Sequence, residues 1–282
     1  MNGTTVVLPP VDVLPRTVVL DLDGTLFDPS GAVRQRSHDA IAWLLDRDVP
    51  VVIATARPLR VVRTRVGRDL LERVSVIHMN GIGLAHGGVP HVSTAPRLAV
   101  EAAERVVDMV AERAPHARLV CEIEGETFGC DALLDAETLW TVNSATPDMV
   151  IPVAEALASG IVKFAVNGFD QSLSPLAEAI DEELGAALTV IREASGTFLN
   201  IVPPGTSKEA ALLRLFPGAP PWHGMLAFGD DLGDLEVLRL AEHGVAMANA
   251  HPSVLEAARY RTYSNAHDGV AYVLERLIEA HR

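Results

Sequence analysis

The most constraining stretch of the chain is Val18-Val19-Leu20-Asp21-Leu22-Asp23-Gly24-Thr25-Leu26-Phe27-Asp28. A β-branched apolar run that stops at two acids and a glycine reads as a buried parallel strand whose C-terminal end opens into a loop. In open α/β sheets ligands sit in the crevice beyond the carboxyl ends of the strands. Residues two apart in an extended segment point the same way, so Asp21 and Asp23 are expected to project into that crevice together. Two neighbouring carboxylates raise each other's pKa unless a cation neutralises them, so the pair predicts a bound metal or one protonated acid. Gly24 lets the backbone turn closely around a ligand.

The pattern that starts here repeats. Ile41, Leu44 and Leu45 recur at helical spacing within Ser37–Leu45, and Val49–Ala54 is a second buried strand that ends in Thr55-Ala56-Arg57-Pro58. A helix around Leu70 and Leu71, a strand at Val74–Ile77 and then His78-Met79-Asn80-Gly81 follow. Strand, helix, strand, helix, strand is the doubly wound pattern. After Gly81 the rhythm changes. Residues 85–202 read as a separate α+β domain, with helices at Arg97–Arg113 and Ser174–Leu184 and strands at Arg118–Glu124, Gly160–Val166, Leu188–Arg192 and Thr197–Val202. Residues 80–88 are expected as the outgoing link, and Pro203-Pro204-Gly205-Thr206 as the return. From Ser207 the first pattern resumes: a helix at Lys208–Leu215, a strand at Gly224–Phe228 ending in Gly229-Asp230-Asp231-Leu232-Gly233-Asp234, a strand at Val245–Ala248 and a C-terminal helix. The expected fold is therefore α/β, a doubly wound Rossmann-like parallel sheet (1–84 and 203–282) carrying a separate, inserted α+β domain (85–202).

Bulk properties narrow the function. No apolar run approaches the roughly 18 residues of a membrane span, and no basic segment precedes an apolar one at the N-terminus, so a cytoplasmic protein with no membrane partner is expected. The net charge of −14 argues against a nucleic-acid partner but not against a small anionic substrate, because a cation and a few placed basic groups reverse the field locally. Of 23 basic residues only Lys163 and Lys208 are lysines, which marks positions that want a compact ammonium rather than a planar fork. Cys121 and Cys130 lack the spacing of a zinc site and are read as reduced thiols. His78, His86 and His91 likewise lack metal-site spacing. Glu122, Glu124 and Glu126 read as a solvated strand face, or, if they face a site, as a preference for amine-bearing substrates. Nothing in the sequence marks an oligomeric state.

The pieces Asp21-Leu22-Asp23-Gly24-Thr25, Thr55, Lys208 and Gly229-Asp230 through Asp234 resemble, in order, the four motifs of the haloacid dehalogenase (HAD) superfamily of phosphatases and phosphotransferases. The tail segments Gly244-Val245-Ala246-Met247-Ala248-Asn249-Ala250 and Asn265-Ala266-His267-Asp268-Gly269-Val270 resemble its Cof-type branch, whose C2B cap is inserted between the second and third motifs. The resemblance implies a Mg2+-dependent phosphomonoester hydrolase acting on a small phosphorylated metabolite, such as a sugar phosphate. By the same resemblance Asp21 is the nucleophile that forms an aspartyl-phosphate and Asp23 the general acid and base. Thr55 and Lys208 would bind the phosphoryl group, and the metal positions would be Asp21, Asp23, Asp230 and Asp234. Arg57, Lys163 and Asn80 are candidate substrate contacts. Two departures stand out: Gly233 replaces the usual Asn of the fourth motif, and Ala56 a common Gly of the second. The rival readings are a sugar phosphomutase of the same superfamily and a phosphate-ligand binding or regulatory protein without turnover.

Overall fold

In a computed structural model, the β-branched run forms β1 (Thr17–Leu20), a strand buried along its whole length. The structure describes residues 5–90, 96–132, 134–218 and 221–282. His91 lies outside them. The chain divides into two units, Met1–His91 with Ser207–Arg282, and Val92–Thr206.

The first unit continues with β2 (Val51–Ala54), β3 (Ser75–His78), β4 (Gly83–His86) and β5 (Val89–Pro90). Among the described residues the second unit holds six strands: β6 (Arg118–Ile123), β7 (Phe128–Cys130), β8 (Val150–Ile151), β9 (Ile161–Asn167), β10 (Thr189–Arg192) and β11 (Phe198–Val202). The chain then returns to the first unit with β12 (Met225–Gly229), β13 (His243–Ala246) and β14 (Tyr260–Arg261).

The first unit's eight-stranded sheet runs β14-β13-β12-β1-β2-β3-β4-β5. Strands β14 to β3 pair in parallel, and β4 and β5 add antiparallel. Alternation along β1 divides its side chains between two cores. Val18 and Leu20 pack with the helices Gln35–Leu45 and Gly269–Ala280, whereas Val19 packs with the side holding Lys208–Leu215 and Leu235–Leu240. Burial on both faces is why these strands read as continuous apolar runs rather than alternating ones. Because β1 has β2 on one side and β12 on the other, the strand order reverses there, and a crevice opens beyond its carboxyl end.

The expected link at 80–88 is instead largely β4, which pairs antiparallel with β3 from Ser75 opposite His86 to His78 opposite Gly83. A tight turn through Met79, Asn80 and Gly81, all at positive φ, reverses the chain. Sequence reading missed it because two consecutive non-glycine residues in the left-handed region have no local signature.

The second unit has a six-stranded sheet in the order β10-β11-β9-β6-β7-β8. Leu119, Cys121, Phe164, Val166, Leu199 and Ile201 cover one face and pack under the helices Val100–Arg113, Val153–Ser159 and Ser174–Leu184. Both cysteines are free and buried. Glu122 departs from the expected solvated face. It is almost wholly buried and stands opposite Lys163 across the β6–β9 ladder, also buried, so opposite charges are neighbours in the register. Glu124 is exposed and pairs with Arg97 at 3.1 Å. Among the described residues no helix is long and apolar enough to cross a membrane.

Candidate active site

The residues after β1, β2 and β12 meet in the first unit because parallel neighbours bring their carboxyl ends side by side. The Asp21 N–H donates to Phe228 O of β12 at 3.2 Å, and the Thr55 N–H to Ile77 O of β3 at 2.9 Å. After Asp21 the chain curls through Leu22–Leu26, with the Leu26 and Phe27 N–H groups returning to Asp21 O and Leu22 O. Gly24 makes that curl possible at φ +77°, and a Cβ there would stand 2.1 Å from Asp230 Oδ2. Only a residue without a side chain lets the Asp21 loop pass so close to the Asp230 loop.

Lys208 opens the helix Lys208–Leu215, whose first turn is capped by Ser207 Oγ accepting from the Ala210 N–H. Its ammonium donates to Asp21 Oδ1 at 2.7 Å and to Asp234 Oδ1 at 2.6 Å, and all three side chains are below 10% exposed. Asp234 Oδ2 accepts the N–H groups of Asp230 and Asp231 at 3.1 and 3.2 Å, in a reciprocal cap with Asp231. Asp231 is thus the cap of a helical turn. Gly229 admits this arrangement, since a Cβ there would lie 2.5 Å from that of Asp234. At Gly233 an added Cβ meets nothing within 4 Å, so the missing Asn side chain leaves open space rather than a repacked core.

Asp21, Asp230 and Asp234 each offer an oxygen within 4.8 Å of the others. Burial holds the Asp21 carboxyl well above the usual carboxylate range; Lys208 opposes that effect, and Asp234 and Asp230 add to it. Asp230 is pushed up to about 7, chiefly by burial, against the hydrogen bond that it accepts from Thr25 Oγ1 at 2.7 Å. Burial also works against the Lys208 charge, but Asp21 and Asp234 outweigh it and raise the ammonium's pKa. Among the described residues neither Asp21 Oδ2 nor Asp230 Oδ2 accepts a hydrogen bond, while Lys208 and Thr25 hold the opposite oxygens. Carboxylate oxygens crowded together, desolvated and left with open acceptors fit a hard divalent cation.

Asp23 is not part of that cluster. Its carboxylate is half exposed and takes a two-point contact from Arg57, Nε to Oδ2 and Nη2 to Oδ1, both at 2.9 Å. The two acids of the first motif therefore have separate neutralisers, Lys208 for Asp21 and Arg57 for Asp23. Thr55 is buried, and its hydroxyl accepts the Arg57 N–H at 3.0 Å. Asn80, buried at φ +59°, donates its N–H to Thr55 O at 3.0 Å, and among the described residues its side-chain Oδ1 has no partner. Lys163 lies in the second unit, on β9.

Two site features were present in the sequence without a role. Asn249 Nδ2 donates to Gly24 O at 2.8 Å while its Oδ1 accepts the Asn265 N–H at 3.0 Å, and Asn265 Nδ2 donates to Phe27 O at 2.9 Å. The two tail segments thereby clasp the Asp21 loop. Their position in the tail motifs was visible, but a contact across more than 200 residues was not.

Comparison with known proteins agrees with this architecture. A family model of haloacid dehalogenase-like hydrolases matches residues 18–274. The 5-amino-6-(5-phospho-D-ribitylamino)uracil phosphatase YitU of Bacillus subtilis is 28% identical over 274 residues, covering 93% of this chain and 97% of its own length. The HMP-PP phosphatase of Cronobacter sakazakii is 28% identical over 242 residues, covering 85% and 86%. The crystal structure of SMU.1108c from Streptococcus mutans UA159 superposes with a TM-score of 0.79 at 23% identity, covering 94% of this chain and 99% of that one. With its α/β fold and its motifs spread along nearly the whole matched length, this chain belongs to the haloacid dehalogenase-like hydrolases, in their Cof-type phosphatase branch.

Proposed function

We propose that the chain is a Mg2+-dependent phosphomonoester hydrolase that acts on a small phosphorylated metabolite, a sugar phosphate or a phosphorylated sugar alcohol, through an aspartyl-phosphate on Asp21. The observation that carries this reading is the buried Lys208 ammonium held between Asp21 and Asp234 at the switch point of the sheet. Relatives named as a 5-amino-6-(5-phospho-D-ribitylamino)uracil phosphatase and an HMP-PP phosphatase support the coarser part of this reading, a phosphatase of small phosphorylated compounds.

In the first half-reaction the Asp21 carboxylate attacks phosphorus, forming the acyl-phosphate bond as the bond to the alcohol oxygen breaks. Asp23 gives its proton to that oxygen as it leaves. In the second, Asp23 takes a proton from water, the resulting hydroxide attacks phosphorus, and the Asp21 carboxylate is released with inorganic phosphate. Lys208 and the Thr55 hydroxyl stabilise the negative charge on the phosphoryl oxygens. Asp21 and Asp230, with the Asp23 backbone carbonyl and Asp234 as the third acid of the cluster, would hold the magnesium ion, which supplies charge neutralisation between carboxylates and phosphate. We assign the unit Val92–Thr206 the role of the cap that selects among phosphorylated compounds, and a cytoplasmic setting suits such metabolites.

The test is phosphate release from a panel of phosphorylated sugars, sugar alcohols and nucleotides, with magnesium and then with EDTA, for the wild type and for Asp21→Asn. Metal-dependent release by the wild type and none by the variant is expected. Hydrolysis by Asp21→Asn at the wild-type rate would remove Asp21 as nucleophile.

A further inference from the structure

We infer that Arg57 is a positioning residue for Asp23, fixing the plane of its carboxylate for proton transfer to the leaving alcohol. The inference rests on the assignment of Asp23 as acid and base given above, and adds a residue to that step. An exposed carboxylate on a loop rotates among rotamers unless something holds it. Among the described residues Arg57 is the one hydrogen-bond partner of the Asp23 side chain, and it uses both oxygens. A guanidinium fork set edge-on to a carboxylate defines a plane as well as a distance, which a lysine ammonium cannot do. Each oxygen keeps a second lone pair, so the clamp leaves Asp23 able to carry and receive the reacting proton.

Arg57 is itself well anchored. Its N–H donates to Thr55 Oγ1 at 3.0 Å, and its C=O accepts the Met79 N–H at 3.0 Å. The loop that carries the proposed phosphate-binding hydroxyl therefore also carries the clamp, so Thr55 and Asp23 are positioned from one short segment, 55–57. Both side chains of the Arg57–Asp23 pair are more than a third exposed, at 37% and 48%. An ion pair so exposed contributes little to stability, so its loss should appear in catalysis and not in folding.

The experiment measures kcat/KM on 4-nitrophenyl phosphate, phenyl phosphate and benzyl phosphate for the wild type, Arg57→Lys and Arg57→Ala. This constant reports the steps up to formation of the aspartyl-phosphate. Nitrophenolate leaves without a proton, whereas the benzyl alkoxide needs one. Both variants should lose about tenfold or more on benzyl phosphate and less than about threefold on 4-nitrophenyl phosphate, with an unchanged melting temperature. Guanidinium ion added to Arg57→Ala should restore the benzyl rate selectively. Equal losses on all three esters, or a rise in KM alone, would overturn the clamp and make Arg57 a phosphate or substrate contact. Asp23→Asn in the same series separates the two levels of argument. If it keeps the wild-type dependence on leaving group, the acid role of Asp23 fails; if it loses benzyl phosphate selectively while the Arg57 variants do not, only the clamp fails.

Discussion

Replacing Gly24 with alanine tests the closest approach in the site. The new methyl would stand 2.1 Å from Asp230 Oδ2 and 2.6 Å from its Cγ, more than an ångström inside ordinary van der Waals contact. It would also occupy φ +77°, which costs an L-residue about 1–2 kcal/mol. Relief requires the Asp230 carboxylate to move away, breaking the 2.7 Å bond from Thr25 Oγ1, a hydrogen bond to a charged acceptor worth about 1.5–3 kcal/mol. Together the two costs amount to roughly 2.5–5 kcal/mol lost by the first unit, lowering its melting temperature on the order of 10 °C. Activity should fall further than stability, because the displaced carboxylate is one of the two with an open oxygen for the metal. Urea denaturation followed by circular dichroism gives the first quantity, and magnesium titration by calorimetry with kcat gives the second. A Gly24→Ala protein with wild-type stability and magnesium affinity would refute the close-approach argument.

The buried charges make further predictions. Lys208→Met strands Asp21 and Asp234 without their ammonium and should destabilise the metal-free protein by about 3–5 kcal/mol at pH 8. The loss should shrink as pH falls, because burial raises the Asp21 pKa and protonation removes one of the stranded charges; denaturation over a pH series in EDTA measures it. The Asp230 carboxyl, raised to about 7 in the folded chain, gives a second pH effect of defined sign. Its contribution is complete below the unfolded carboxyl value and is lost as pH rises through about 7, so the wild type in EDTA should become less stable across that window. Saturating magnesium should flatten the slope, and a slope that magnesium leaves untouched would contradict the proposed metal position. Finally, burial pushes the Cys121 thiol up to about 12, so a disulfide reagent at pH 8 should label it only after unfolding, and rapid labelling of the native protein would contradict its placement in the core.

Much of this molecule was legible in its residue pattern. Period and punctuation are local, so the helices at Ser174–Leu184 and Lys208–Leu215 start and stop in the structure where their sequences do. An apolar run ending in polar residues marks a strand end, which is why Asp21, Thr55 and Asp230 could be recognised as neighbours of one crevice. Contacts between distant segments left no such trace. The strands Val150–Ile151 and Tyr260–Arg261 are too short to show any period and exist only because a partner strand pairs with them. Glu122 looked solvated because alternation tells which residues share a face but not what covers it. The same limit hid the partition of charge in the first motif. Spacing brought Asp21 and Asp23 to one strand end, but only the packing of Lys208–Leu215 and of the 55–57 loop decided that one acid meets a buried ammonium and the other an exposed guanidinium fork. The chain's own order of residues determined where the chemistry sits; side-chain neighbours contributed from far along the sequence determined which acid is desolvated and which stays in reach of water.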